Sequence, residues 1–135
     1  MMNIKYRAPL WELIYHDCVV SYWYWGDSQM CCPEHTHKRD LINALYGTPP
    51  LYSINVAQWN SMKNEIVNSY KRASKVAKLT CGKKMISFEY LTDDFLVQKT
   101  IFENKVSVVV NFKDEDYILS DKTVIKSFDY IILEE

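Results

Sequence analysis

The sequence predicts an α+β chain: one buried strand and two helices, followed by an antiparallel β-sandwich. Three observations carry this reading. An apolar run with a polar end lies between Pro9 and Ser21, apolar residues recur at helical spacing between Asn55 and Leu79, and from Lys84 onward the period changes to two. With 135 residues the chain has room for one domain of ordinary size or a piece of a larger one. Its 48% hydrophobic and 24% charged residues exclude disorder.

The elements follow in order. In the first, Leu10, Leu13, Ile14, Tyr15, Val19 and Val20 are apolar, interrupted by Glu12, His16, Asp17 and Cys18. A strand that turns polar near its end is typical of a sheet carrying a site at one rim. An aromatic run, Tyr22-Trp23-Tyr24-Trp25, then opens a loop through Gly26-Asp27-Ser28 to Pro33. A helix is expected from His37 to Tyr46, with Thr36 as N-cap, an apolar face of Leu41, Ile42 and Leu45, and a stop at Gly47 and Pro49-Pro50. The next helix starts at Asn55, whose side chain can cap while Gln58 reaches back, and it ends near Leu79. Val56, Trp59, Met62, Ile66, Tyr70 and Ala73 mark its apolar stripe. The meander then alternates through Ile86, Phe88 and Tyr90, turns at Thr92-Asp93-Asp94, and turns again at Glu103-Asn104-Lys105. Val106, Val108, Val110 and Phe112 give its cleanest alternation, and short strands near Tyr117, Val124 and Phe128 to Ile132 complete it.

Charge and composition remove several function classes. Sixteen Lys and Arg stand against seventeen Asp and Glu, a formal net charge of −1, so there is no basic excess to neutralise a phosphate backbone and no nucleic-acid partner is expected. The apolar stretches are too short to span a bilayer, so no membrane partner is expected either. The amino terminus MMNIKYRAPL has no apolar h-region, so no secretory signal is expected from it, and the cellular compartment stays open. Four cysteines are well below the density of a disulfide scaffold.

Aromatic residues make up 14% of the chain and crowd toward its front. Trp23 and Trp25, with the Asp27 carboxylate close behind, form a pattern that suits the apolar face and hydroxyls of a pyranose. Alternation along an extended segment sends at least half of the four consecutive rings into the core, and which tryptophan faces a sugar stays open. Cys31, Cys32, His35 and His37 invite a zinc reading, but adjacent cysteines are an awkward start to a tetrahedral site, and exposed loop residues are the simpler account. Cys18 and His16 would share one face of a strand, yet a nucleophile pair needs a third orienting group.

The strings RAPLWELIYHDCVVSYWYWGDS and KRDLINALYGTPPLY resemble the carboxy-terminal part of a glycoside hydrolase group, the α-N-acetylgalactosaminidases of the family 129 type and their larger family 101 relatives. That resemblance implies a (β/α)₈ barrel followed by an antiparallel β-sandwich, with release of terminal α-linked N-acetylgalactosamine by retaining chemistry. Residues 1–80 would then be the terminal piece of the barrel and residues 81–135 the sandwich domain. Retaining hydrolysis needs two carboxylates roughly 5–5.5 Å apart. The resemblance puts both upstream of this chain, so no catalytic residue is assigned within it and turnover by the chain alone is not expected. Asp17, late in the first strand beside His16, takes the position of a strand-end residue touching sugar hydroxyls. His16, Asp17, Trp23, Trp25 and Asp27 are thus the candidate substrate-binding residues. The resemblance admits calcium near the site, for which Asp17 and Asp27 would supply only part of the oxygen shell.

A strand cut from a barrel must find cover. Four front aromatics left wet would forgo on the order of 15–25 kcal/mol as an upper estimate. Self-association into a homo-oligomer is the favoured remedy, with pairing to an upstream barrel fragment as the other. Two functions stay open: the terminal part of such a hydrolase, or a non-catalytic sandwich module that binds carbohydrate or a protein partner.

Overall fold

The computed structural model describes residues 4–22 and 36–134. Among them are three α-helices, α1 (Leu10–Tyr15), α2 (Thr36–Tyr46) and α3 (Val56–Thr80), and six strands. The strands are β1 (Met85–Tyr90), β2 (Val97–Phe102), β3 (Val106–Asn111), β4 (Tyr117–Ile118), β5 (Val124–Ile125) and β6 (Asp129–Glu134). The α+β class is therefore the observed one.

The expected strand between Pro9 and Ser21 is not formed; its first half is α1. A short apolar run does not separate strand from helix by periodicity, and Leu10, Leu13 and Ile14 also fit helical spacing. The helix supplies its own partners: the Leu13 amide donates to the Pro9 carbonyl at 2.9 Å and the His16 amide to Glu12 at 3.1 Å. A lone strand would have left those groups unpaired.

Helices α2 and α3 form where their sequences indicate, although Thr36, the expected N-cap, is the first residue of α2 itself. Gly47, at φ +68°, ends α2 in the left-handed conformation that glycine tolerates best. The Thr48 amide donates back to Asn43 at 3.0 Å and the Gly47 amide to Ala44 at 3.3 Å, the two bonds of a Schellman stop. At α3 the capping box is complete: the Gln58 amide donates to Asn55 Oδ1 at 2.9 Å, and the Asn55 amide to Gln58 Oε1 at 2.7 Å. The stripe on α3 is used unevenly. Ile66, Ala73, Val76 and Ala77 are buried, whereas Val56 and Trp59 in the first turn are exposed.

Four strands make one antiparallel sheet in the order β1-β2-β3-β6, and β4 pairs with β5 as a separate ribbon. In place of two broad sheets, the four-stranded sheet is covered by helices on one face and by the ribbon on the other. Leu41, Ile42 and Leu45 of α2 meet Phe102, Val108 and Val110 on the helix side. Val97, Val109 and Ile125 form the smaller cluster beneath the ribbon. Coverage of both faces is why every residue of β3 is buried.

Polar side chains pin these layers together. Thr100 Oγ1 donates to the Leu45 carbonyl at 2.7 Å, satisfying a group that the end of α2 leaves open. Asn111 Nδ2 reaches the carbonyls of Glu115, Ile125 and Lys126, which anchors the ribbon over the sheet. Lys105, at φ +65°, closes the β2–β3 hairpin where the sequence places the turn. No helix among the described residues is long and apolar enough to cross a membrane.

Candidate functional site

Helix α1 is too short to bury a full face, and its two sides are used in an unusual sense. Leu10, Trp11, Ile14 and Tyr15 are exposed, while Glu12 is turned inward and retains only 9% of its surface. Isolated buried carboxylates are rare because desolvation disfavours the charged form. Burial accordingly holds the Glu12 carboxyl above its ordinary range, opposed by its own backbone amide and by the nearby charges of His16 and Arg7.

Glu12 lies in a cleft of about 530 Å³ together with Arg7, Trp11, Tyr22, Tyr46 and Thr48. The floor is fixed by the end of α2. Tyr46 keeps 6% of its surface, and burial raises its phenol above the usual range, offset by a hydrogen bond from the Arg7 guanidinium. Thr48 is held by donation from Oγ1 to Asn43 Oδ1 at 3.0 Å. The Arg7 backbone is tied to the sheet by donation from the Tyr90 hydroxyl to its carbonyl at 3.2 Å. The wall is aromatic: Trp11, half of it exposed, packs against Tyr15 at 4.5 Å between centroids with the ring planes tilted by 46°. A carboxyl, a guanidinium, a phenol and an exposed indole together can bind a polyhydroxylated ligand through its hydroxyls and its apolar face.

A second cleft, of about 270 Å³, adjoins the first and shares Val19, Ser21 and Thr48 with it. It is mainly apolar, with Val20, Pro49, Pro50 and Tyr70 in its walls. His16 belongs here. Its Nδ1 lies 2.7 Å from the Lys83 carbonyl and its Nε2 3.3 Å from that of Gly47, while the ring packs on Phe102 at 5.0 Å between centroids. The imidazole thus straps the turn after α1 to the ends of α2 and α3. With both nitrogens facing backbone carbonyls, it is not directed at Cys18. Partial desolvation and the adjacent Asp17 carboxylate hold the Cys18 thiol above its ordinary range, the reverse of an activated nucleophile.

Asp17 is half-buried, lines neither cleft, and has Cys18 as its neighbour. Trp23, Trp25 and Asp27 lie outside the described residues, as do Cys31, Cys32 and His35 and the side chain of His37. Among the described residues no group of three His, Cys, Asp or Glu side chains could hold a metal ion. Sequence reasoning missed Arg7, Glu12 and Tyr46. The available signal was Glu12, a charge inside an apolar run.

A sheet backed by helices, with an acid and aromatic rings along an open cleft, suits a protein that handles carbohydrate. The chain belongs to a glycosyl hydrolase family: residues 1–101 match the family described as glycosyl hydrolases related to GH101 family, GH129. Two solved structures share its fold, both of the alpha-N-acetylgalactosaminidase NagBb from Bifidobacterium bifidum. The GalNAc complex aligns at TM-score 0.51 with 22% identity over 90% of this chain, and a quadruple mutant at 0.50 with 20% identity over 91%. The chain spans about a fifth of the length of those structures, 18% in each case. No curated protein sequence matches it.

Proposed function

We propose that this chain supplies the carboxy-terminal part of a retaining glycosidase acting on α-linked N-acetylgalactosamine, and that it does not turn over substrate alone. The observation that carries the reading is the family match over residues 1–101, taken with the structural likeness to an alpha-N-acetylgalactosaminidase of which the chain spans 18%. On this reading residues 1–80 correspond to the end of a (β/α)₈ barrel and residues 81–135 to the domain after it. The nucleophile and the acid/base belong to the rest of the barrel, roughly 5–5.5 Å apart as retaining chemistry requires. His16, Asp17, Trp23, Trp25 and Asp27 are then sugar-contacting residues of the completed site.

The exposed face of α1 supports a need for completion. Leu10, Trp11 and Ile14, and after them Val19, Val20 and Tyr22, are all exposed apolar side chains. Either the remaining barrel or a second copy would bury them. The test is co-expression with a barrel fragment of the same family lacking this segment, assayed on an aryl α-N-acetylgalactosaminide. Turnover by the pair, with none by either part, is the expected result. A pair that assembles yet cleaves nothing would sink the split-enzyme reading and leave the chain as a non-catalytic module binding carbohydrate or a protein partner.

A further inference from the structure

The two edges of the four-stranded sheet are built differently. Strand β1 is broken by a register shift between Met85 and Ser87, and its Tyr90 hydroxyl ties it to the Arg7 carbonyl. Strand β6 pairs with β3 without interruption from Asp129 to Glu134 and has β3 as its one strand partner among the described residues. Bulges, proline and lysine are the usual devices that keep an edge from pairing with another chain, and β6 contains none of them. An open cleft of about 480 Å³ lies against it, lined by Arg72 and Lys75 of α3 and by four consecutive residues, Asp129 to Ile132. Successive side chains of a strand point to opposite faces, so four in a row line one cleft where the backbone edge itself is open.

The ladder fixes which groups that edge offers. The Phe112 amide donates to the Leu96 carbonyl at 2.8 Å, so even-numbered residues of β3 bond β2 and odd-numbered ones bond β6. Val109 stands opposite Ile131, which leaves the backbone groups of Tyr130, Ile132 and Glu134 facing outward. We infer that β6 pairs antiparallel with β6 of a second copy, about a two-fold axis at Ile132. Charge selects this occupant. In that register Tyr130 lies opposite Glu134 of the second copy, on the helix face to which Tyr130 and Ile132 belong. The Tyr130 hydroxyl donates to the Arg72 carbonyl, about one helical turn before Lys75, so the incoming carboxylate arrives beside Lys75. Lys75 and Glu134 are both exposed, and neither has an ion pair among the described residues. Arg72 is already engaged by Asp129 at 3.1 Å, and the two-fold axis makes the Lys75–Glu134 contact twice. The pairing uses none of the exposed residues of α1 and does not rest on the proposed function.

Sedimentation equilibrium of the full chain over a concentration series should show a reversible monomer–dimer equilibrium. Lys75→Glu, at an exposed position, should weaken the dimer by about tenfold, because two ion pairs become two repulsions. Glu134→Lys should do the same, and the double variant Lys75→Glu with Glu134→Lys should restore the dimer. Ile132→Pro removes the amide at the two-fold axis, where an edge strand tolerates proline because its N–H faces solvent. It should abolish the dimer while the far-ultraviolet dichroism is kept, and the charge variants test the pairing even if that variant fails to fold. A monomer at every concentration would overturn the pairing and leave the edge to a strand of a different chain. A dimer that Lys75→Glu does not weaken, or that the charge swap fails to restore, would overturn it too and place the contact elsewhere, as on the exposed side of α1.

Discussion

In α2 every residue from Leu41 to Tyr46 is buried, whereas in α1 the buried residue is Glu12 and the exposed ones are Leu10, Trp11, Ile14 and Tyr15. The two helices are near each other in space and use opposite rules. Helix α2 is built for stability: its apolar side chains meet Phe102, Val108 and Val110, and its last turn is tied off by Gly47, Thr48 and Thr100. Helix α1 forgoes the burial that would stabilise it, keeping a carboxyl inside and its rings outside. An element arranged this way either completes a larger surface or serves a ligand. Substitutions along the two helices should therefore divide sharply between those that unfold the chain and those that alter only what it binds.

The widest gap should appear between Leu45→Ala and Ile14→Ala. Leu45 keeps 1% of its surface, and its truncation should cost about 2–5 kcal/mol. Ile14 keeps 65%, and its change should stay within about 0.5 kcal/mol. Urea unfolding curves for the pair measure the difference directly. A loss at Ile14 as large as that at Leu45 would mean that α1 is covered in solution, most simply by a second copy.

Gly47 and Gly82 make the next contrast, since both have positive φ, +68° and +66°. A Cβ on Gly47 would lie 2.6 Å from His16 Nε2, 2.6 Å from Thr80 Oγ1 and 3.0 Å from Phe102 Cζ, while one on Gly82 would meet nothing within 4 Å. Gly47→Ala therefore adds a steric clash to backbone strain and should cost about 2–4 kcal/mol. Gly82→Ala carries the strain alone, about 1–2 kcal/mol. Thermal melts of the two variants separate these contributions. Similar melting points would mean that His16 swings away freely and that its strap between Gly47 and Lys83 holds little.

Asn55→Ala removes the capping box of α3 and should cost about 1 kcal/mol, read from the urea midpoint. Rescue by Asn55→Ser or Asn55→Asp would confirm that the cap, not the side-chain size, is responsible.

Features that depend on neighbours in sequence were the legible ones. The stop at Gly47, the Asn55–Gln58 cap and the turn at Glu103 to Lys105 are set by a few adjacent residues, and the observed elements follow them. The meander was legible because side chains alternate along its strands, and in β3 and β6 that alternation sends Val108, Val110 and Ile132 to the helix side and Val109 and Ile131 beneath the ribbon. Two things were not. The run from Leu10 to Tyr15 fits either period, and its state was decided by which backbone partners it could reach. The second was the cleft: Tyr46 is far in sequence from Arg7 and Glu12, and only the folded chain brings it beside them. His16 was singled out, but its bonds to Gly47 and Lys83 were invisible because they link three separate elements. The ribbon β4–β5 was legible as short strands, but its position across the sheet depends on Asn111 and could not be read from alternation.

The smallest effects expected are in acid, where Glu12 and Asp94 should pull stability in opposite directions. Asp94 accepts from Thr92 Oγ1 at 2.6 Å and pairs with Lys113 at 2.9 Å, which lowers its pKa from 3.8 to about 2. Its contribution is present above pH 3.8 and is lost as the pH falls through about 2, and because the pair is part-exposed it amounts to only a few tenths of a kcal/mol. Glu12 behaves inversely. With its pKa raised by burial from 4.5, its contribution is full below pH 4.5 and is lost as the pH climbs through the folded-state value. Glu12→Gln should remove that decline and make the chain relatively more stable near neutrality, whereas Asp94→Asn should flatten only the acid end. Urea midpoints measured from pH 2 to pH 7 for both variants would show it. If Glu12→Gln left the profile unchanged, the carboxyl would have to be solvated or paired in solution, and the inward turn of α1 that sets it apart from α2 would not persist there.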